Sequence, residues 1–141
     1  MLLYTHILKT CGTSITVIVD GDEMRDSILL GAGFSLDERS EHNYRVARLV
    51  RELVKQINVI VSVIAPVIYT RRTISANYPM ISFVYIRKMM PYREGHFYEE
   101  LYDYLTIDTD TLSIEKSVDR LREIIDSVNN KTKVPEGDYV I

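Results

Sequence analysis

Cysteine is nearly missing from this chain of 141 residues: Cys11 stands alone, which excludes an internal disulfide and any zinc site built on a cysteine cluster. Nothing then argues for an oxidising compartment, and the cytoplasm is the expected location. Tryptophan is absent, and the three histidines, His6, His42 and His96, are too far apart to form a metal-binding motif by spacing. A charge surplus is missing as well. Seventeen basic side chains meet 20 acidic ones, and the resulting net charge of -3 gives no electrostatic reason to wrap a nucleic acid. The chain has no apolar run of membrane-spanning length, and Met1-Leu2-Leu3-Tyr4 lacks a basic leader, so no membrane partner is expected. Also lacking is a glycine-rich loop that closes on Lys-Ser or Lys-Thr, the motif whose backbone N–H groups cradle nucleotide phosphates.

What the chain does have is apolar patterning: 46% of its residues are hydrophobic, enough for one substantial core in a single domain. Leu2, Leu3, Ile7 and Leu8 repeat at helical spacing, and Gly12 stops that helix before an expected strand at Thr13–Val19. Ser35 and Glu38 stand at capping-box spacing, ahead of a stripe formed by Val46, Leu49, Val50, Leu53, Val54 and Ile57. Val59-Ile60-Val61-Ser62-Val63-Ile64 reads as a strand covered on both faces, closed by Pro66. A short helix through Arg71 and Ile74 precedes a strand at residues 81–86. Another strand is expected at 104–108, then a helix capped by Ser113 with a stripe from Ile114 to Val128, and an exit segment over residues 129–141. Such alternation predicts an α/β fold of three αβα layers around a mainly parallel sheet, with binding chemistry at the carboxyl ends of the strands.

At the first of those ends stand Asp20-Gly21-Asp22 and, three residues on, Arg25. Two carboxylates and a guanidinium there can hold an ion or orient a phosphate ester; the same residues also suit an ordinary capped turn with a surface ion pair.

The longer series Val19-Asp20-Gly21-Asp22-Glu23-Met24-Arg25, Gly33-Phe34-Ser35, Asp37-Glu38-Arg39 through Arg45-Val46, Ser62-Val63-Ile64-Ala65-Pro66 and Ile107-Asp108-Thr109-Asp110 resembles the adenylylsulfate kinase family across most of residues 2–128. The match is poor around 87–104. The resemblance implies a P-loop NTPase-like fold that transfers the γ-phosphoryl of ATP, with Mg2+, to the ribose 3'-hydroxyl of adenosine 5'-phosphosulfate. It implies that Asp20 and Asp22 are catalytic, with Asp22 also an indirect organiser of Mg2+. It places Arg25, Phe34, Arg39, His42, Arg45, Ala65 and Pro66 at the acceptor, a small anionic nucleotide. Guanidinium groups suit phosphate and sulfate through directional, charge-assisted bonds. On the residues alone, Arg39 and Arg45 fit the wet face of a helix, and Phe34 fits a helix-start staple equally well.

Departures from the family pattern matter. His42 occupies the place of an Asn and cannot reproduce both amide functions. Ala65-Pro66 replaces Ser-Pro. In the lid region Arg87, Lys88 and Arg93 are opposed by Glu94, Glu99, Glu100 and Asp103. The aromatic segment 92–104 suits sheet packing, base stacking, or a dimer or protein-partner surface. In the resembling fold a first, central strand and the phosphate loop precede the helix at residues 2–10. The expectation is therefore one kinase-like domain over 1–141, N-terminally incomplete, lacking its first strand and phosphate loop and inactive by itself, with a gap beside the strand at 58–65. Two alternatives stay open: a noncatalytic, degenerate interaction domain, and a related kinase with another small nucleotide acceptor.

Overall fold

In the computed structural model, the described residues are 16–27, 31, 33–89, 97–99 and 105–132. Their order is β1 (Thr16–Asp20), α1 (Gly21–Ser27), α2 (Leu36–Leu53), β2 (Asn58–Ser62), α3 (Ile68–Asn77), β3 (Val84–Arg87), β4 (Leu105–Asp108) and α4 (Ile114–Thr132). Strands and helices alternate as the apolar patterning predicts, and both strand pairs are parallel. The expected helix over residues 2–10 and the start of the first strand at 13–15 lie outside the described residues.

Two compact units emerge. The first contains β1 and β2, paired in register from Thr16 with Asn58 to Asp20 with Ser62, together with α1, α2 and α3. Its core is Val19, Met24, Val46 and Val50, against which Leu49, Leu53, Val54, Val59, Val61, Val63 and Ile81 pack. These include most of the stripe read from the sequence. Ile57 falls outside the helix, because α2 ends at Leu53 with Val54 as its C-cap.

The expected strand at 58–65 ends early, at Ser62, for a physical reason. Its only ladder partner among the described residues is β1, which becomes helical at Gly21, so residues 63–65 have no strand beside them. Side chains satisfy carbonyls there instead: Asn43 Nδ2 donates to Ile64 O at 3.3 Å, and Arg71 Nη1 donates to Ala65 O.

The second unit pairs β3 with β4, from Val84 with Leu105 to Arg87 with Asp108, and covers β4 with α4. Ile107, Val118 and Ile124 are its buried apolar residues. The strand expected at 81–86 begins at Val84, since Ile81 N closes a turn onto Tyr78 O at 2.9 Å. The last helix runs to Thr132, so the exit segment expected from residue 129 is helical at its start. Among the described residues no helix is long and apolar enough to cross a membrane.

Each described helix spends its first N–H groups on side chains of its own chain. Asp20 Oδ1 accepts from Asp22 N at 2.9 Å and Glu23 N at 3.3 Å. Ser35 and Glu38 form the reciprocal capping box that their spacing predicts, and that contact holds the Glu38 carboxyl below its ordinary pKa. Glu99 Oε2 accepts from Ile68 N at 2.6 Å at the start of α3, and Ser113 Oγ accepts from Lys116 N at 3.4 Å at the start of α4.

Candidate functional site

The carboxyl end of the β1–β2 pair opens into a cleft of about 120 Å³, lined by Asp20, Gly21, Asp22, Arg25, Arg39, His42, Ser62, Val63 and Ile64. Local geometry explains why these residues meet. Gly21 lies against the exit of β2, where an added Cβ would sit 2.8 Å from Val63 Cγ1 and 3.2 Å from Ser62 O. Only a residue without a side chain lets the strand turn into α1 at that point.

The two aspartates differ in their commitments. Asp20 is half-buried and caps α1 through Oδ1, as the capped-turn reading anticipates. Asp22 is exposed in the first turn of α1 and lines the cleft. Arg25 reaches across from the last turn of that helix, donating from Nη1 to Gly33 O at 2.5 Å, with its guanidinium carbon 4.7 Å from the centroid of Phe34.

Phe34 is 66% exposed, so it is not a core contact. Arg39 stacks on the same ring at 5.3 Å and donates from Nε to Phe34 O at 2.9 Å. Two cations thus lie against one outward-facing phenyl ring, and both also line the cleft.

His42 is 3% exposed, although its spacing also suits a surface helix. Burial, and then the nearby Arg25 charge, push its pKa below the ordinary imidazole value; the Gly21 backbone and Asp22 oppose that shift.

Other sequence candidates lie outside the cleft lining. Arg45 is exposed and donates from Nε to Glu41 Oε1 at 2.9 Å, a surface pair. Ala65 and Pro66 are buried, and their carbonyls accept from Arg71 and from Glu99 N. They shape the exit of β2. Of the aromatic segment 92–104 only residues 97–99 are described: Phe97 is half exposed, and Tyr98 lies under the Arg71 guanidinium at 4.7 Å.

Two contributions escaped the sequence reading. Ser62, Val63 and Ile64 were read as strand yet form a wall of the cleft. Arg71, 1% exposed, ties Ala65 O to Glu99 O. No sequence signal marks a buried arginine; only the neighbouring Pro66 hinted at a chain reversal.

Among the described residues, no three His, Cys, Asp or Glu side chains converge on an ion, and every helix N-terminus is already capped from within.

A model of the adenylylsulphate kinase family matches residues 2–104, so it takes in the segment 87–104 where the sequence pattern is poor and stops short of Ile107–Asp110. No individual curated protein sequence matches significantly. Among solved structures, the protein APE1195 superposes with a TM-score of 0.72 at 24% identity, over 90% of this chain and 85% of that one. The Mycobacterium tuberculosis APS kinase CysC in complex with AMPPNP and APS gives 0.69 at 20% identity, over 89% and 87%. The hexameric APS kinase from Thiobacillus denitrificans gives 0.68 at 22% identity, over 89% of this chain and 25% of that one. These likenesses establish a P-loop NTPase-like kinase fold.

Proposed function

Starting from a chain that belongs to the adenylylsulphate kinase family, we propose that the cleft at the end of β1 and β2 binds the acceptor of that family's phosphotransfer, a small anionic nucleotide such as adenosine 5'-phosphosulfate. The observation that carries this reading is the exposed Phe34 ring with the guanidiniums of Arg25 and Arg39 against it, both arginines lining a cleft that Asp20 and Asp22 also line. A flat apolar face beside two fixed cations suits a base joined to an anionic group. The carboxylates suit a sugar hydroxyl.

The roles divide by commitment. Asp22 is unencumbered by capping and accepts the proton of the ribose hydroxyl, orienting its oxygen for attack. Asp20, bound to the first turn of α1, positions Asp22. Arg25 and Arg39 take the phosphosulfate oxygens, and Phe34 stacks on the base. Arg45 lies at the rim, while Ala65 and Pro66 act by setting the path of the wall formed by residues 62–64. ATP, when bound to a family member with Mg2+, supplies the phosphoryl group.

Calorimetry tests the assignment. The chain should bind adenosine 5'-phosphosulfate and fail to bind Mg-ATP tightly; Arg39→Ala should weaken the nucleotide by about tenfold or more, as expected for a lost charge-assisted bond. Tight Mg-ATP binding with none for the phosphosulfate would discard the reading. The internal capping of every described helix favours one second reading, a kinase-like domain that binds nucleotide without turning it over. A longer protein that supplies a phosphate loop, yet shows binding without turnover, would make that reading the leading one.

A further inference from the structure

Just past the last ladder residue of β2, three carbonyls in a row are each taken by a different part of the chain. Ile64 O accepts from Asn43 Nδ2 of α2 at 3.3 Å, Ala65 O from Arg71 Nη1 of α3, and Pro66 O from Glu99 N at 2.9 Å. Glu99 meets this turn again through its side chain, since Oε2 accepts from Ile68 N at 2.6 Å, and its own carbonyl accepts from Arg71 Nη2. The Arg71 guanidinium, 1% exposed, thus joins carbonyls 6 residues before it and 28 after it, and it lies 4.7 Å from the centroid of Tyr98. An apolar side chain would fill that space at a lower desolvation cost, so what arginine adds is a fixed fork of donors that spans two segments. Resting on the nucleotide-binding role proposed above, we infer that Arg71 and Glu99 are positioning residues for the cleft. They hold the wall formed by Ser62, Val63 and Ile64 in place and tie its path to the segment 97–99.

The wall needs such a hold. β2 leaves its ladder at Ser62, and Ile64 is 60% exposed, so neither pairing among the described residues nor burial fixes the chain that follows. Its path is set by the side chains that take its carbonyls. Asn43 serves one of them through a long bond, whereas Arg71 and Glu99 bracket the turn over 65–68 from both ends. The charge of Glu99 suits its place, because it supplies the first turn of α3 with an acceptor that the N-cap residue Val67 does not. A shift of the wall would be felt directly in the cleft: Val63 Cγ1 lies only 2.8 Å from where a Cβ on Gly21 would stand, beside the first turn of α1 that carries Asp22. Neither Arg71 nor Glu99 lines the cleft, so their effect on affinity passes through the wall. By linkage, a nucleotide that settles against the wall tightens the hold on 97–99 in return.

Glu99 gives the cleaner test, because Glu99→Ala removes the bond to Ile68 N while keeping both backbone bonds, and Glu99→Gln restores an oxygen there. In methyl NMR on the full chain, Glu99→Ala should shift the Val63 and Ile64 signals, and Glu99→Gln should return them. Calorimetry with adenosine 5'-phosphosulfate should show affinity weakened about fivefold or more in Glu99→Ala and in Arg71→Lys, whose point ammonium lacks the fork. Glu99→Gln should stay within about twofold of the original affinity. Methyl signals unmoved in Glu99→Ala, with the melting temperature lowered, would overturn the proposal and leave Glu99 a helix cap alone. So would unchanged nucleotide affinity in Glu99→Ala and Arg71→Lys while Arg39→Ala loses it, which would leave the nucleotide reading intact. If the unsubstituted chain binds no nucleotide, that reading falls instead, and the methyl signals alone decide whether Glu99 holds the wall.

Discussion

Both parallel pairs end in the same local device, and among the described residues the two ends are put to different use. β1 runs into Asp20-Gly21-Asp22 and β4 into Asp108-Thr109-Asp110. In each, the first aspartate accepts from the backbone N–H two residues on, at 2.9 Å for Asp20 and 3.0 Å for Asp108. There the likeness ends. Asp108 also lies 3.6 Å from the Arg87 guanidinium, Thr109 N and Oγ1 both donate to Arg87 O, and Asp110 Oδ2 accepts from Met89 N at 2.5 Å. The second motif is used up in joining β4 to the end of β3. The first faces a cleft with two guanidiniums and a buried imidazole. Strand, acid, any residue, acid is thus a way of turning a chain out of a parallel strand, and chemistry depends on what else reaches the turn.

The middle residue is the sharpest point of difference, and exchanging it should give the largest effect. Gly21→Thr would drive a side chain into Val63 and Ser62 O, costing about 2–3 kcal/mol in urea unfolding. Thr109→Gly should cost about 1 kcal/mol, through a lost hydroxyl bond and added chain freedom. Equal costs would show that the two turns are under the same constraint.

Arginine removal should separate the ends by function. Arg39→Ala should weaken nucleotide binding roughly tenfold to a hundredfold, measured by calorimetry, because a charge-assisted bond and one of the cations against Phe34 go together. Arg87→Ala should leave that affinity unchanged, since Arg87 serves Asp108.

Removing the capping acids should make the ends look alike again. Asp20→Ala and Asp108→Ala should each cost about 1 kcal/mol of stability, and Asp22→Ala less than about 0.5 kcal/mol, because Asp22 supports no backbone group. A large stability loss on Asp22→Ala would mean that its carboxylate is structural.

The smallest expected difference is in pH dependence. The His42 pKa is lowered in the folded chain, so the unfolded chain takes up this proton first as pH falls. Its contribution to stability is complete above the ordinary histidine range near pH 6.5 and is lost as pH drops below it, levelling off beneath the lowered folded value. Unfolding midpoints measured from about pH 7.5 to about pH 5 should therefore fall less steeply in His42→Phe than in the original chain. The β3–β4 unit contributes no such slope, having no histidine.

Much of the fold was legible because it rests on repetition. Val46, Val50 and Leu53 recur at the helical period, and β-branched residues run together over 59–61, so burying them admits few arrangements. The Ser35 and Glu38 pair was readable for a different reason: a capping box is completed within four residues and needs nothing from elsewhere. Strand ends were misread where they depend on a partner. Val63 and Ile64 are as β-prone as their neighbours, yet their strand stops because β1 has already turned away.

The candidate site divides along the same line. Asp20, Asp22 and Arg25 were legible as a group, being close in sequence, and Arg39 and Phe34 through the family's ordered motifs. That Phe34 faces outward with two guanidiniums against its ring was not readable, because a staple and a stacking ring have the same sequence. Nor was the burial of Arg71 or of His42, whose spacing suits a wet helix face.

By itself the sequence determined the alternation of parallel strands and helices, the kinase family, and the positions where acids end strands, because each depends on local periodicity or on the order of short motifs. Tertiary structure alone decided that the β1 end opens into a cleft, that Arg25 and Arg39 share one ring, and that His42 is buried. Those outcomes depend on side chains far apart in the chain meeting at one point, where packing sets exposure and exposure sets chemistry.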